Sequence, residues 1–495
     1  MDYEQILKDI KPTEQEQQEI DEMSDKLVSF LEESCENDNI DAKVAIVGSV
    51  AKHTALKGKS DIDIFIAFPL SESEDRLKNC GLYLAHKCND HFNGDASHHF
   101  ASHPYVTSDI EGFEVDFVPC YEIEDGSQLK SAVDRTILHT RYVKAHLTDE
   151  GCEQVLLLKK FMDMTGTYGS EFKVGGFAGY LCELLVIRYG SFENVLKAAS
   201  NWQFGEVIDL EGYGTSDNFN DPLIVIDPTD KNRNVGAALR LNKMSEFIQS
   251  ARNYLASQNK KDYFYPLNKT IDKASILEEY AGRGSEFIAI KFDFPEMPLD
   301  TLHPQLKMTT ESLEEKITNE EFNIFRANYA TNEVDTAVIL LEMASSKLNN
   351  LKVNQGPKIY LTKACNNFTE KYGAETCHIE GDFLVHTQKR EFCDVRSFIE
   401  DLFTKEHISK IKVGKNIRKA IINTYEFVSL DDLASDDDYL QFLDDFINPG
   451  QYIVRRGNEQ NRRDRLNRKS SEKGNKQAGI ANYHKLSFHD DEQHH

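Results

Sequence analysis

Residues 44–68 read VAIVGSVAKHTALKGKSDIDIFIAF, and this stretch decides the fold. The apolar residues at its two ends predict two short buried strands. Between them, Gly48-Ser49 predicts a turn that opens a helical turn, and Gly58 predicts a second turn. Because side chains alternate faces along a strand, Asp61 and Asp63 lie on one face of the second strand and the intervening isoleucines on the other.

Two carboxylates on one face of a strand repel each other unless a cation or protons neutralise them. Paired carboxylates suit Mg²⁺, which leaves its other positions to water and substrate phosphates. Gly48 lets the backbone approach an anion closely, and Ser49 with the following amides offers donors to that anion. An Asp-x-Asp pair or a Gly-Ser turn alone is usually a solvated feature, but together they predict a nucleoside-triphosphate site.

A third acid follows on the next apolar strand. Residues 113–121 read FEVDFVPCY, which predicts a half-buried strand whose pairing ends at Pro119. If this strand lies beside the one that carries Asp61 and Asp63, Asp116 completes a set of three acids for two metal ions roughly 3.5–4 Å apart. The alternative is that Asp116 is an exposed strand residue without a role.

Composition limits the classes of protein to consider. The chain has 495 residues, 40% of them apolar, which predicts two to four globular domains. No run approaches the ~18 apolar residues of a membrane span, and the acidic start is not a signal peptide, so we expect a soluble, cytoplasmic protein. The nine cysteines form no Cys-x-x-Cys pair, which favours reduced thiols over structural zinc.

The net charge of −26 means that a nucleic-acid partner must bind a local basic patch. Such a patch of sequence follows Pro449, where arginines and lysines crowd into residues 455–473 with almost no apolar residues. We expect this extension to be disordered, and its role stays open.

Several helices and a histidine-rich segment complete the first part of the chain. Thr13-Glu14-Gln15-Glu16 has the spacing of a capping box before an apolar helical stripe, and residues 72–92 predict a second amphipathic helix. The histidines at 91, 98, 99 and 103 fall in a segment that we expect to be a loop, so solvated side chains are favoured over a metal site.

Cationic side chains after the acid strands suit a triphosphate. The candidates are Arg135, His139, Lys159 and Lys160. Taken alone, His139 favours a surface histidine and Lys159 a charge on a helix face. Residues 228–234 predict a polar turn between an apolar strand and a helix, where Arg233 is either solvated or a reader of a base or phosphate. The residues alone give no reason to assign Glu183 a role.

These motifs resemble a known superfamily. The Gly48-Ser49 loop, Asp61-Ile62-Asp63 and Asp116 are similar to those of nucleotidyltransferases such as DNA polymerase β and poly(A) polymerases. Longer blocks resemble archaeal-type (class I) CCA-adding tRNA nucleotidyltransferases, in that family's order from about residue 40 to about 310: SAVDRTILHT at 131–140, YGSEFKVGGFAGYLCELL at 168–185 and PLIVIDPTDKNRNV at 222–235. Gly414-Lys415-Asn416-Ile417 resembles a block in the tail of the family.

The resemblance implies an α/β (α+β) fold with a polymerase β-like head, a helical neck, a ferredoxin-like body and an α/β tail. The domains implied are 1–148 (catalytic head), 149–265 (neck, nucleotide-selecting), 266–446 (body and tail, tRNA-binding) and 447–495 (basic extension). Within the body, residues 283–292 predict a strand, 309–317 a helix and 338–351 a strand or helix end.

By resemblance, particular residues take particular roles. Two Mg²⁺ ions are bound by Asp61, Asp63 and Asp116. Nucleotide binding is implied for Gly48, Ser49, Thr136, His139, Lys159 and Tyr168, and choice of CTP or ATP for Arg233. His103 is implied to lie near the primer end, and Lys415 and Arg418 to contact tRNA.

The function expected is template-free addition of C, C and A to the 3′ end of tRNA from CTP and ATP, with release of pyrophosphate. The partners are the tRNA acceptor end and the two nucleotides, with no membrane, and the sequence leaves a homodimer open. One rival is a poly(A)-type or other terminal RNA nucleotidyltransferase. The other is an inactive RNA-binding relative, which would be expected to have lost one of the three acids.

Overall fold

The computed structural model describes residues 3–59, 61–100, 104–266 and 271–450, without the side chains of 97–100 and 104. These residues form two compact units, which meet in sequence between residues 268 and 269. The predicted mixed α/β class is confirmed. The predicted division into four domains is not tested by these two units and stays a prediction, and both His103 and the basic extension beyond 450 lie outside the described residues.

The first unit begins with helices and strands that build one five-stranded sheet in the order β1-β2-β5-β4-β3. Its elements are α1 (Glu4–Ile10), α2 (Glu14–Asn37), β1 (Lys43–Val47), α3 (Gly48–Ala51), β2 (Ile62–Phe68), α4 (Glu74–His91), β3 (Asp95–Phe100), β4 (Pro104–Ile110) and β5 (Phe113–Tyr121). The capping box at Thr13 and Glu16 and the helix predicted for 72–92 are both confirmed.

The central strands of this sheet have the predicted facing pattern. Ile62, Ile64 and Ile66 pack with α2 and α4 in one core, whereas Phe65 and Ala67, on the face that carries Asp63, pack in a second core with Ile137. Strands β2 and β5 run parallel and pair from Ile62–Val115 to Phe68–Tyr121. The two acid-bearing strands are therefore neighbours, as predicted.

Two expectations for this region were wrong. Pro119 does not end the pairing of β5, because β5 continues beside β2 to Tyr121, while its pairing with β4 ends at Phe117. The missing N–H of a proline is tolerated where no second strand needs it. The histidine-rich segment is not a loop, since residues 95–100 form β3 and pair antiparallel with β4.

The second part of this unit is mainly helical and surrounds a small sheet in the order β6-β7-β8. Its elements are α5 (Arg135–His146), α6 (Asp149–Met164), α7 (Gly179–Tyr189), α8 (Phe192–Ala199), β6 (Glu206–Asp209), β7 (Leu223–Asp227), β8 (Asp230–Asn234) and α9 (Leu241–Ala256). Helices α6 to α9 share one large aromatic-rich core with α1. The polar turn predicted for 228–234 was wrong in part, because residues 230–234 form a strand that folds back on β7.

The second unit contains a four-stranded antiparallel sheet in the order β10-β11-β9-β15 and a three-stranded sheet in the order β12-β14-β13. Its elements are α10 (Lys273–Gly282), β9 (Glu286–Asp293), α11 (Leu299–Asn319), β10 (Asn323–Thr331), β11 (Thr336–Ser345), β12 (Leu351–Lys358), α12 (Thr362–Tyr372), β13 (Cys377–Glu380), β14 (Phe383–Lys389), α13 (Val395–Leu402), α14 (Arg418–Thr424), β15 (Glu426–Val428), α15 (Leu430–Ala434) and α16 (Asp437–Ile447).

The strand predicted for 283–292 is confirmed as β9, and the strand alternative for 338–351 holds up to Ser345. The helix predicted for 309–317 starts ten residues earlier, at Leu299, and includes Pro304. Across the described ranges, no helix combines the length and the apolar character that a membrane span requires. All nine cysteines, each within the described residues, are free thiols.

Candidate active site

The site begins at the bend between β1 and α3. Gly48 has a φ of +71°, and a Cβ built on it would lie 1.8 Å from Asp63 Oδ2. The backbone at Gly48 therefore packs directly on the carboxylate of Asp63, as the Gly-Ser motif predicts. Ser49 follows in the single helical turn of α3, and its carbonyl accepts a hydrogen bond from Thr54 N at 2.9 Å.

The acids of the predicted set come from two neighbouring strands. Asp63 and Asp116 are direct partners in the parallel pairing of β2 and β5, and the exposed Asp61 precedes β2. Burial, together with the negative charges of Asp116 and Asp61, raises the pKa of Asp63 to about 7, and Lys52 opposes this shift. Thr107 Oγ1 donates to Asp116 Oδ1 at 2.5 Å.

The chemistry of these side chains fits a hard divalent cation. Clustered carboxylates supply the oxygen ligands that Mg²⁺ takes, and a cation would offset the burial and the neighbouring negative charges that raise the pKa of Asp63. Among the described residues, however, no three His, Cys, Asp or Glu side chains already lie together as a metal-binding group. The assignment of Asp61, Asp63 and Asp116 to metal ions therefore stays a prediction.

A buried ionic cluster lies behind the Gly48-Ser49 bend. Glu183 on α7 is completely buried, and it accepts from Lys52 Nζ at 2.6 Å and from Thr54 Oγ1 at 2.7 Å. Lys159 on α6, 2% exposed, donates to the Thr54 carbonyl at 2.8 Å, with its ammonium 3.5 Å from Glu183. Burial lowers the pKa of Lys159, and Glu183 opposes that shift. Burial also works against ionisation of Glu183, but Lys52 and Lys159 outweigh it and lower its pKa.

A second cluster forms around Asp227 at the end of β7. The Asp227 side chain is fully buried and accepts from Arg233 Nη1 at 2.7 Å and from Thr229 N at 2.9 Å, and its Oδ2 lies 2.9 Å from His139 Nε2. Burial opposes ionisation of Asp227, but the contacts with His139, Thr229 and Arg233 outweigh it and hold its pKa below the usual range. Burial lowers the pKa of His139, although Asp227 opposes this.

Tyr180 connects the two clusters. Its ring stacks on His139 with 3.9 Å between ring centroids, its hydroxyl donates to Asp227 at 3.3 Å, and the ammonium of Lys52 lies 5.9 Å from its ring centroid. The Gly48-Ser49 bend packs on Asp63 and is bonded through Thr54 to Glu183, so a chain of contacts runs from Asp63 to Arg233. The structure thus brings Gly48, Ser49, Asp63, His139, Lys159 and Arg233 into one connected network.

The other predicted residues have local partners. Thr136 N donates to the Val133 carbonyl, and its own carbonyl accepts from Thr140. Tyr168 forms an isolated bridge with Phe177, next to α7. Lys415 and Arg418 are exposed in the second unit, where Arg418 reaches the Val413 carbonyl at 3.4 Å. Their predicted roles are not tested by these contacts.

Four residues that sequence reasoning missed complete the network: Lys52, Tyr180, Glu183 and Asp227. Glu183 carried a signal, because it interrupts the apolar run at residues 181–187, and a charge in such a run needs a partner. Asp227 carried a similar one, as the acid that ends the apolar strand β7. Thr54 lies far from Glu183 in the sequence and His139 lies far from Asp227, so the signals do not identify these partners.

Comparison with known families divides the chain into three matched segments. Residues 27–139 match the family described as nucleotidyltransferase domain, and residues 153–265 match the second domain of tRNA nucleotidyltransferase. Residues 283–429 match the C-terminal domain of CCA-adding enzyme. The first segment contains the acids and the Gly-Ser bend, and the second contains Glu183 and Asp227.

Individual relatives agree with these matches. The CCA-adding enzyme of Methanothermobacter thermautotrophicus is 45% identical over 456 residues, which cover 92% of this chain and 99% of that enzyme. The CCA-adding enzyme of Methanosarcina acetivorans is 34% identical over 445 residues, covering 88% and 96%. Among solved structures, Cid1, described as having RNA terminal uridylyl transferase activity, matches with a TM-score of 0.42 and 16% identity over 54% of this chain and 97% of Cid1. On the sequence matches, the chain belongs to the family of CCA-adding enzymes, which are nucleotidyltransferases.

Proposed function

We propose that this enzyme adds C, C and A to the 3′ end of tRNA from CTP and ATP, without a nucleic-acid template and with release of pyrophosphate. The observation that carries the proposal is the pairing of Asp63 with Asp116 on parallel strands, with the Gly48 backbone packed on Asp63. Family membership supports the choice of tRNA as the primer. The free thiols and the tRNA substrate favour the cytoplasm as its location.

The metal that this reaction needs is proposed to be Mg²⁺, as two ions bound by Asp61, Asp63 and Asp116. When bound, Mg²⁺ would lower the pKa of the attacking 3′-hydroxyl and neutralise negative charge on the leaving pyrophosphate. The protein's part is positioning. Gly48 leaves the space that the carboxylate of Asp63 fills, and the pairing of β2 with β5 places Asp63 beside Asp116, where the metal ions would bind.

Nucleotide binding is assigned partly to the network around the acids and partly to predicted residues outside it. The donors proposed for the triphosphate and sugar are Ser49, Thr136, His139, Lys159 and Tyr168. Arg233 is proposed to read the base, because its side chain is a third exposed while the ion pair with Asp227 fixes its orientation. The tRNA is proposed to bind the second unit through Lys415 and Arg418, whose charges are exposed.

One incubation separates this function from its rivals. The purified protein is mixed with tRNA that lacks its CCA end, CTP, ATP and Mg²⁺, and the products are resolved at single-nucleotide length. Ordered growth by C, C and A supports the proposal. Runs of A would instead indicate a poly(A)-type transferase, and no growth under any nucleotide supply would indicate an inactive RNA-binding relative.

The metal assignment has its own test. Replacing Asp61 with Ala should lower nucleotide incorporation by at least ~10³-fold, because metal ions supply several kcal/mol of transition-state stabilisation. The affinity for tRNA should stay within a few-fold of wild type. As a control, Asp95→Ala removes an exposed acid at the far edge of the same sheet and should leave incorporation unchanged. Turnover like wild type in Asp61→Ala would refute the assignment.

A further inference from the structure

We infer that Glu183 is a positioning residue for nucleotide binding, which fixes the loop after the Gly48-Ser49 bend through Thr54 and Lys52. It touches neither the acids nor Arg233 directly. The inference deepens the proposed function and rests on it only for the identity of the nucleotides, CTP and ATP.

The argument starts from the burial of Glu183. Its side chain has no exposure, and a buried carboxylate is tolerated only where charged or polar partners satisfy it. Here one carboxylate oxygen accepts from Lys52 at 2.6 Å, and the other accepts from Thr54 Oγ1 at 2.7 Å. Because Lys52 and Thr54 flank a single residue of the loop, the carboxylate fixes the loop at two points.

The restraint then passes along the backbone to the bend. Thr54 is held at its hydroxyl by Glu183 and at its carbonyl by Lys159, while its N–H donates to the Ser49 carbonyl at 2.9 Å. Residues 49–54 therefore form a closed loop, and α6 and α7 determine its position relative to β1. The proposed donors of Ser49 lie at the start of this loop.

The charges lead to the same conclusion. Glu183 neutralises one of two buried cations, Lys52 and Lys159, which are 8% and 2% exposed. Lys52 is also the cation that acts on Asp63. Without the carboxylate, Lys52 and Lys159 would lose the counter-charge that they share, and Lys52 and the loop that carries it would no longer be held on α7.

The test is Glu183→Gln in the full-length protein, with the dissociation constants of CTP and ATP measured in Mg²⁺ without tRNA. The amide keeps the shape and an acceptor for Thr54 but removes the charge. We expect both constants, and the KM of each nucleotide, to rise at least ~10-fold, as loss of hydrogen bonds to a charged group implies. The KM for tRNA should stay within about 2-fold, since only the nucleotide side of the site changes.

Glu342→Gln is a matched control. Glu342 in the second unit is equally buried, accepts a hydrogen bond from Arg283 at 2.7 Å and forms an ion pair with Arg326 at 3.0 Å. Its substitution should lower the melting temperature to a comparable extent and leave nucleotide dissociation constants within about 2-fold. Equal loss of melting temperature in both variants, with nucleotide binding unchanged in both, would reduce Glu183 to a stabilising residue and overturn the inference.

If Glu183→Gln does not fold, a milder variant tests whether Glu183 positions the loop for nucleotide binding. Thr54→Val removes the hydroxyl that Glu183 binds and keeps the charged pair, so nucleotide dissociation constants should rise about 3-fold or more, the loss of one hydrogen bond. Unchanged binding in Thr54→Val would overturn the inference. If wild type binds nucleotide but adds none to tRNA, the proposed function fails. The nucleotide dissociation constants of wild type and the variants still test the role of Glu183 in that case.

Discussion

At the scale of single residues, Gly48 and Asp63 constrain each other. The bend at Gly48 is possible because glycine adopts a positive φ at little cost, and the carboxylate of Asp63 uses the space that a side chain would fill. The site therefore depends on an absent Cβ as much as on an acidic group. This dependence distinguishes Gly48 from a positive-φ glycine such as Gly112, whose surroundings are open.

Substituting Gly48 with Ala should lower turnover by about 100-fold or more, because moving a catalytic group by ~1 Å costs that much. The matched control is Gly112→Ala in the turn between β4 and β5. Gly112 has a φ of +86°, and a Cβ at this position would have no neighbouring atom within 4 Å, so the control shares the backbone strain without the collision. Backbone strain should cost each variant roughly 1–3 kcal/mol of stability, and the collision with Asp63 should add to the loss in Gly48→Ala. Equal turnover in the two variants would contradict the proposed role of Gly48.

His139 makes stability depend on pH in a defined direction. Burial lowers its pKa below the usual 6.5, against the pull of Asp227 and with help from Arg233 and Lys52. Below pH 6.5 the unfolded chain thus binds more protons than the folded one, so stability is lost as the pH falls through this window.

The melting temperature of His139→Gln should vary less than that of wild type between about pH 7 and about pH 5, because the variant lacks this titration. His146→Gln, at the exposed end of the same helix, is the control and should keep the slope of wild type. Melting curves at half-unit pH intervals measure the difference. A slope for His139→Gln as steep as that of wild type would show that another group dominates.

At the scale of elements, the hairpin of β7 and β8 brings Asp227 and Arg233 together. The turn between the strands returns the chain so that Arg233, six residues after Asp227, lies above the carboxylate at 2.7 Å. Thr229 N and Oγ1 both donate to the same carboxylate within the turn. Helix α5 contributes His139 and helix α7 contributes Tyr180, so three elements converge on one buried acid.

Asp227→Asn should lower kcat/KM for both CTP and ATP by ~10–100-fold, because Arg233 loses its counter-charge and its fixed orientation. The ratio of the two values should change as well, if Arg233 reads the base. Steady-state kinetics with tRNA ending in C and in CC measure each step. Lys231→Ala, an exposed residue of the same hairpin, is the control and should match wild type. If the ratio of kcat/KM for CTP to that for ATP is the same in Asp227→Asn as in wild type, Arg233 does not select the base.

At the scale of the whole molecule, charge limits how tRNA binds. The net charge of −26 repels a polyanion, so binding must depend on local cations whose contribution is sensitive to salt. Lys415 and Arg418 are exposed cations on a segment of the second unit within the match to the CCA-adding C-terminal domain.

The double substitution of Lys415 and Arg418 with Ala should raise the KM for tRNA several-fold. It should also reduce the slope of log(kcat/KM) against log[salt] by about one for each phosphate that the variant no longer binds, without changing the nucleotide KM. Lys78→Ala removes a charge of the same sign from α4, where Lys78 pairs with Glu74 at 2.5 Å, and is the control. A salt slope unchanged from wild type would exclude these two cations from the tRNA interface.

The amino-acid sequence alone determined those features of the protein that depend on neighbouring residues. The two acid strands, their facing pattern and the Gly48 bend were predictable, because alternation along a strand and the freedom of glycine depend on neighbouring residues alone. The capping box was predictable for the same reason. The blocks that resemble CCA-adding enzymes determined the family, which the comparisons confirm.

Only the tertiary structure decided which distant groups meet. Thr54 and Glu183 are 129 residues apart, and His139 and Asp227 are 88 apart, yet each pair is joined by a hydrogen bond. Strand β5 continues through Pro119 because β4 no longer pairs with it beyond Phe117, so the missing N–H of the proline leaves no hydrogen bond unmade on that side. The local sequence around Pro119 does not reveal where this pairing ends. Burial supplies the physical reason: the packing of helices against the sheet excludes water from Glu183 and Asp227, and a carboxylate without water must take its partners from whichever elements lie beside it.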